Sequence, residues 1–207
     1  MFPVRRVYCI GRNYAAHTVE MGGDPDREAP FFFQKNPDNL DPSGEFPYPP
    51  NSSDVHHEIE MLVALKSGGT GIALGDALKH VYGYGVCLDM TRRDRQGEAK
   101  AARRPWEIGK AFERSAPCGE IVPAAEIGHP SSGEIALDVN GAVRQRGDLG
   151  QMIWKVPEMI AYLSEHFALA AGDVILSGTP SGVAAVARGD RMEARIGGVG
   201  TLSVAVI

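Results

Sequence analysis

The sequence has few cysteines, no long apolar run and no excess of positive charge. Its three cysteines, Cys9, Cys87 and Cys118, are odd in number and form no CxxC pair. We therefore expect no disulfide framework. We expect a reducing compartment, and the cytoplasm is the default. The apolar runs fall far short of the ~20 residues that cross a bilayer, and the N-terminus shows no secretory signal. The net charge of −5 argues against nucleic-acid or anionic-membrane partners, which require a basic surface.

Glycine, by contrast, is abundant. The 25 glycines among 207 residues exceed the usual share of ~7%, which favours many tight turns and a strand-rich fold. Hydrophobic residues make up 43% of the chain, enough to bury a substantial core without disulfides. No internal repeat or linker is visible, so we expect one domain over residues 1–207 of the mainly-β or α+β class.

Hydrophobic periodicity places these elements along the chain. A short helix is expected after Asn13, ended by Gly22-Gly23. A tight hairpin is expected at Asn140-Gly141. Residues 24–54 are rich in proline and are interpreted as a long irregular segment around Phe31-Phe32-Phe33. The other expected strands cover residues 4–10, 81–90, 173–177, 190–196 and 200–206, and one more begins at residue 57. A helix is expected over 153–167, and a loop or helix over 91–104.

Two glutamates in the strand that begins at His57 form the first candidate site. Glu58 and Glu60 are two residues apart, so a strand points both carboxylates to one face, roughly 7 Å apart. Such a pair is usually a solvated surface. Asp89, however, ends a second apolar strand, and three carboxylates suit a hard cation such as Mg²⁺ or Mn²⁺. His56 and His57 keep a zinc site open as an alternative.

The short helix carries the second candidate site. His17 and Glu20 are three residues apart, so they share a helix face and can touch. A carboxylate bonded to an imidazole raises its basicity and orients it, as a water-activating base requires. The alternative is a surface pair of little energetic consequence. The neighbouring turn Gly11-Arg12-Asn13 favours the functional interpretation.

Several further residues carry weaker signals. Lys110 is an isolated lysine, and Arg93 and Gln96 lie in a charged stretch that could be an exposed helix face. Gly178-Thr179-Pro180-Ser181-Gly182 follows an apolar strand and could offer Thr179 and backbone N–H groups to a carboxylate, although a plain turn is the default. The glycine spacing in residues 69–75 fits neither a dinucleotide loop nor a Walker loop.

Taken in order along the chain, these motifs resemble the fumarylacetoacetate hydrolase family. The resemblance spans essentially the whole chain, from about residue 5 to the C-terminus. Within the family, the segments 20–33 and 104–110 look most like members that cleave fumarylpyruvate in gentisate breakdown. One departure is that Lys35 is followed by Asn36-Pro37 where the family commonly has Lys-Pro, and the segment 38–54 is also unlike its counterparts. The matching motifs are Gly11–Tyr14 with His17 and Glu20, His57–Glu60, Leu88–Thr91 with Arg93, Asp94 and Gln96, Lys110, and Gly178–Gly182.

The resemblance implies a mixed, rolled β-sheet with a few peripheral helices, usually as a homodimer. It implies Mg²⁺ or Mn²⁺ on Glu58, Glu60 and Asp89, and a small anionic 2-oxo acid as substrate. His17, held by Glu20, would activate the attacking water. Lys110 is implied to be a catalytic residue together with His17 and Glu20, and the residues implied to contact the substrate are Arg12, Arg93, Gln96 and Thr179.

Three functions follow as hypotheses. The first is hydrolysis of the carbon–carbon bond of an acylpyruvate, with fumarylpyruvate giving fumarate and pyruvate. The second is decarboxylation of oxaloacetate, which needs enolate stabilisation on the same metal but no attacking water. The third is a metal- or ligand-binding protein without catalysis, which the His17–Glu20 pair disfavours because binding alone needs no positioned base.

Overall fold

The computed structural model describes residues 2–20 and 29–207, and for residues 17–19 the backbone alone. Strands dominate these ranges, and the helices are short. The strands are β1 (Arg6–Gly11), β2 (Phe31–Lys35), β3 (Leu40–Asp41), β4 (Glu45–Phe46), β5 (Val55–His57), β6 (Ile59–Leu65), β7 (Val81–Leu88), β8 (Thr91–Arg92), β9 (Ala116–Pro117), β10 (Val122–Pro123), β11 (Glu134–Val139), β12 (Ala142–Asp148), β13 (Asp173–Leu176), β14 (Ala184–Ala185), β15 (Arg191–Ile196) and β16 (Gly200–Val206).

Five α-helices and three short 3₁₀ helices accompany the strands in the described ranges. The α-helices are α1 (Ala15–Glu20), α2 (Arg93–Ala101), α3 (Glu107–Lys110), α4 (Ala124–Ile127) and α5 (Val156–His166). The 3₁₀ helices are Pro37–Asn39, Leu74–His80 and Leu149–Gln151. In the described part of the chain, no helix is both long and apolar enough to cross a membrane.

Two larger sheets form the framework, and both mix parallel and antiparallel pairs. The six-stranded sheet runs β10-β7-β6-β13-β1-β2, with β1 parallel to β13. The five-stranded sheet runs β12-β11-β15-β16-β4, with β16 parallel to β4. Smaller sheets are β14-β5-β8 and β3-β9. The expected mainly-β architecture with mixed sheets and few helices is therefore confirmed.

The main core contains side chains from both larger sheets and from α5. Met61 and Tyr84 come from the first sheet, Leu137 and Met192 from the second, and Leu163 from α5, all fully buried. All seven residues of β6 are buried, as expected for a central strand covered on both faces. Any charge on this strand must therefore be stabilised by specific partners.

The structure corrects one expectation and confirms others. The segment 24–54 is not simply irregular: in its described part, β2 pairs with β1, β3 with β9 and β4 with β16. The hairpin between β11 and β12 turns at Asn140-Gly141 as predicted, with φ of 53° and 77°, the left-handed values that such a turn requires. The charged stretch over 91–104 contains helix α2. The proposed helix stop at Gly22-Gly23 lies outside the described residues.

Candidate active site

Three buried carboxylates meet beside the central strand of the six-stranded sheet. One oxygen each from Glu58, Glu60 and Asp89 lies within 4.8 Å of the other two. The residues are 5%, 3% and 0% exposed, so the alternative of a solvated strand face is wrong. No histidine or cysteine ligand atom joins this group among the described side chains.

The pairing of β6 with β7 explains why these residues meet. Glu60 lies within β6, and Glu58 occupies the gap between β5 and β6. The register pairs Ile59 with Leu88, so Asp89 follows directly beside Glu58. A backbone hydrogen bond of 2.8 Å from Asp89 N to Glu58 O fixes the junction. Strand periodicity and register together thus place all three acids on one face.

Three cationic side chains neutralise the acids. Lys110 Nζ donates to Glu58 Oε2 at 2.9 Å, to Asp89 Oδ2 at 2.7 Å and to the Thr91 hydroxyl at 2.6 Å. Arg93 Nη2 donates to Glu58 Oε1. Lys35 Nζ lies 2.9 Å from Asp89 Oδ1, at ion-pair distance but without hydrogen-bond geometry.

The negative charge of Glu60 is neutralised less than the charges of the other two acids. Burial raises the pKa of its carboxyl well above the usual value, and the negative charges of Asp89 and Glu58 raise it further. Lys110 and the Gly178 N–H, which donates to Glu60 Oε2 at 2.7 Å, oppose this rise. Burial lowers the pKa of Lys110, but Asp89 and Glu58 outweigh that effect and the net pKa is raised. Beside these two carboxylates, the Lys110 ammonium is therefore held in its charged form.

This donor set fits a hard divalent cation. All three ligand groups are carboxylates, which Mg²⁺ and Mn²⁺ prefer. The destabilised charge on Glu60 also calls for a further positive charge. No histidine nitrogen lies in this group among the described side chains. His56 Nε2 instead bonds to Asp54 at 2.8 Å and His57 Nδ1 to Gln145 at 2.9 Å. Glu58, Glu60 and Asp89 are thus the residues that would hold the ion.

The second predicted feature, the His17–Glu20 pair, is described only in part. Both residues lie in α1, but the imidazole of His17 is outside the described side chains, so their contact stays a prediction. The Glu20 carboxylate accepts from Gly182 N at 3.1 Å and 3.2 Å. This bond joins α1 to the Gly178–Gly182 turn.

A cleft extends from the carboxylates toward the surface and contains the other predicted site residues. Its inner end consists of Glu58, Glu60, Asp89, Lys110, Arg93, Gln96 and Thr179. Its outer end consists of Arg12, Phe31, Lys100 and Trp106. The structure therefore brings together the predicted metal ligands, Lys110 and all four predicted substrate contacts in one cavity.

Individual contacts orient these groups. Arg93 Nη1 donates to Gln96 Oε1 at 2.6 Å, and Gln145 Nε2 donates to Thr179 Oγ1 at 2.8 Å. Arg12 has a φ of 56°. The next residue, Asn13, fixes this turn by accepting from Trp154 N at 2.7 Å and donating to the Ser177 carbonyl at 2.7 Å.

Sequence reasoning gave no site role to Lys35, Gln145 or Lys100. Lys35 has a fully buried ammonium that donates to the Ser115 hydroxyl at 2.9 Å and to the Lys110 carbonyl. Gln145 is buried on β12 and connects His57, the Ile59 N–H and Thr179. The position of Lys35 at the end of the aromatic strand β2 could have identified it as a site residue from the sequence. No feature of the sequence identifies Gln145 in this way.

Comparison with known proteins gives a consistent result. The family model for the fumarylacetoacetate (FAA) hydrolase C-terminal domain matches residues 6–207. The crystal structure of fumarylpyruvate hydrolase from Pseudomonas aeruginosa, in complex with Mn²⁺ and pyruvate, is 53% identical with a TM-score of 0.97. It is matched over 100% of this chain and 91% of the other.

Two curated relatives have different names. Fumarylpyruvate hydrolase from Ralstonia sp. is 41% identical over 88% of this chain and 95% of its own length. Oxaloacetate tautomerase YcgM from Escherichia coli K12 is also 41% identical, over 92% of this chain and 88% of its own length. These two curated relatives, which are named for different oxo acids, are thus equally identical to this chain.

The mixed sheets and the buried three-carboxylate cluster define a class of mainly-β proteins whose oxygen ligands suit a divalent cation. Within that class, the chain belongs to the fumarylacetoacetate hydrolase family.

Proposed function

We propose that this protein is a metal-dependent hydrolase that cleaves the carbon–carbon bond of an acylpyruvate, with fumarylpyruvate giving fumarate and pyruvate. The observation that carries the proposal is the oxygen-only carboxylate cluster at the bottom of a cleft lined by cations. The P. aeruginosa relative, whose structure contains Mn²⁺ and pyruvate, supports the assignment of the pyruvyl half to this end.

The inner end would bind the pyruvyl group. A divalent cation, when bound, supplies positive charge that orients the 1-carboxylate and 2-oxo oxygens and favours enolate formation. Arg93, Gln96 and Thr179 supply donors around that position, and Lys110 adds a fixed charge. Such preorganised charges stabilise a developing oxyanion without having to rearrange.

The His17–Glu20 pair would supply the base. His17 takes a proton from water while the water oxygen bonds to the distal ketone carbon. The bond between that carbon and the pyruvyl methylene then breaks, and its electron pair goes to the enolate of pyruvate. The enolate takes up, at its methylene carbon, the proton that His17 accepted from water, and the acyl group leaves as a carboxylic acid.

Replacing His17 tests this proposal. We expect His17→Ala to retain Mn²⁺ binding, measured by calorimetry, while acylpyruvate cleavage falls by about 10²–10⁴-fold, the usual contribution of general base catalysis. The matched control is His166→Ala, an exposed histidine at the end of α5. Full activity in the His17 variant would end its proposed role.

A second candidate function is favoured by the E. coli relative named as an oxaloacetate tautomerase. Oxaloacetate chemistry, whether decarboxylation or tautomerisation, needs enolate stabilisation but no attacking water. Pyruvate release from fumarylpyruvate and from oxaloacetate, together with the change in enol absorbance of oxaloacetate, should be measured side by side. Turnover of oxaloacetate alone, undiminished in His17→Ala, would replace the hydrolase proposal.

Two expectations accompany the proposal, and one outcome would favour the alternative. The physiological ion is Mg²⁺ or Mn²⁺, which metal analysis of the purified protein would identify. The protein is a homodimer, which light scattering would test. If the ion raises the melting temperature but no oxo acid is turned over, the non-catalytic alternative is the correct one.

A further inference from the structure

Helix α2 connects the two ends of the cleft along a single face. Arg93, Gln96 and Lys100 are spaced at i, i+3 and i+7, which aligns them on one side of a helix. All three line the cleft. With a rise of about 1.5 Å per residue, Lys100 lies roughly 10 Å further along the helix axis than Arg93, which contacts Glu58.

Among the described residues, no carboxylate forms an ion pair with Lys100. Its ammonium lies over the Trp106 ring, whose centroid is 5.9 Å from Nζ. Exposed lysines elsewhere pair readily, as Lys79 does with Asp76 at 2.6 Å. Partial burial lowers the pKa of Lys100, and the positive charges of Arg12 and Arg93 lower it further.

The cleft also contains more positively charged than negatively charged side chains. Its lining includes four cationic side chains, Arg12, Arg93, Lys100 and Lys110, and three carboxylates. At the inner end, Arg93 and Lys110 are already bonded to Glu58 and Asp89. A divalent ion on the carboxylates would make the excess of positive charge larger, so the cleft favours a ligand with more than one negative charge.

Aromatic rings define the space between the two ends. Phe31 and Trp106 have ring centroids 4.9 Å apart, and Phe33 lies 5.9 Å from Trp106. Flat apolar surfaces of this kind accept a hydrocarbon or conjugated chain. The outer end therefore combines an apolar surface for a chain with a cation beyond it.

We propose that Lys100 binds the distal carboxylate of a long dianionic substrate, whose 2-oxo acid end lies on the carboxylate cluster. This inference rests on the proposed function and adds the selection of the acyl tail. With C–C bonds of about 1.5 Å, a seven-carbon dicarboxylate spans roughly 7–8 Å, and the long lysine side chain covers the remaining distance. The four-carbon oxaloacetate is too short to reach both ends.

Two unreactive ligands of equal length test the proposal. The dianion 2-oxoheptanedioate and the monoanion 2-oxoheptanoate both lack a 4-oxo group, so neither can be cleaved. Calorimetric titration of the Mn²⁺-loaded protein is expected to give about tenfold tighter binding of the dianion, as for one charge-assisted hydrogen bond. In Lys100→Met this preference is expected to disappear, with the monoanion changed by less than twofold, whereas Lys100→Arg retains it.

Lys66→Met, which removes an exposed lysine outside the cleft, is the matched control. With fumarylpyruvate, Lys100→Met is expected to raise KM about tenfold at unchanged kcat, because this contact is equally strong in ground and transition states. Equal affinities of the two ligands in the unmodified protein, or an equal loss of both in Lys100→Met, would overturn the inference and leave the hydrolase proposal intact. If neither ligand binds, both proposals fail.

Discussion

The two ends of the cleft differ in how their charges are held. At the inner end, Glu58, Asp89 and Lys110 are almost fully buried and hydrogen-bonded to one another. At the outer end, Lys100 is exposed and contacts an aromatic ring. Buried ion pairs cannot separate without a large energetic cost, whereas an exposed lysine can change its conformation. On the proposed function, the fold would therefore fix the chemistry, and substrate choice would depend on exposed side chains such as Lys100.

The largest expected effect is the loss of metal binding in Glu60→Gln. Replacing one of three charged ligands should weaken Mn²⁺ binding by more than about 100-fold, since even the loss of an outer contact costs 10–100-fold. The metal-free variant should be at least as stable as the unmodified protein, because the destabilised charge of Glu60 is removed. Thermal unfolding with and without Mn²⁺ measures both effects.

Glu165→Gln, at an exposed position of α5, is the control for this prediction. A full Mn²⁺-induced rise in melting temperature in Glu60→Gln would mean that the inner end does not bind the ion through this residue.

The next effect concerns stability. Lys35→Met removes a buried ammonium that approaches Asp89 and donates to Ser115 and two carbonyls. Removing one partner of a buried charge network costs about 3–5 kcal/mol. The exposed substitution Lys100→Met should change the free energy of unfolding by less than about 0.5 kcal/mol. Urea denaturation measures the free energy of unfolding of both variants. An equal loss in Lys35→Met and Lys100→Met would contradict the distinction between the buried inner end and the exposed outer end.

The smallest effect is expected from the aromatic surface. Trp106→Leu removes the ring that packs on Phe31 and Phe33. Because burial of one methylene contributes about 0.8 kcal/mol, binding of 2-oxoheptanedioate should weaken roughly 4-fold. Pyruvate, which fills only the inner end, should bind as before. The control is Phe2→Leu, because the Phe2 ring packs on Tyr82 outside this cleft. If Trp106→Leu weakened the binding of pyruvate as much as that of 2-oxoheptanedioate, the two ends would not bind separate parts of the ligand.

Much of the inner end could be predicted from the sequence because local rules determine it. The two-residue period of a strand places Glu58 and Glu60 on one side, and Asp89 ends the neighbouring apolar strand. The hairpin at Asn140-Gly141 follows equally from the φ values that its turn requires. Here, residue order and backbone geometry suffice.

Other features depend on contacts between distant residues. Lys35 is buried because Met90, Lys110 and Ser115 supply oxygens, and these lie 55 to 80 residues away. The short strands β2, β3 and β4 form because β1, β9 and β16 offer edges to pair with, and no local pattern in a proline-rich segment records those partners. Gln145 likewise acts only through residues that tertiary folding brings to it.

Gly109 has a consequence for how this enzyme could diversify. A methyl group at this position would lie 2.9–3.0 Å from the backbone and Cβ of Gln96, so helices α2 and α3 touch with no side chain between them. Lys110 follows on α3, and Lys100 lies four residues beyond Gln96 on α2. If Lys100 binds the acyl tail as proposed, substitutions at this exposed position would change tail selection without disturbing the contact between the helices. A larger residue at position 109 would displace Lys100 and Lys110 together, so the two helices constrain each other during evolution or redesign.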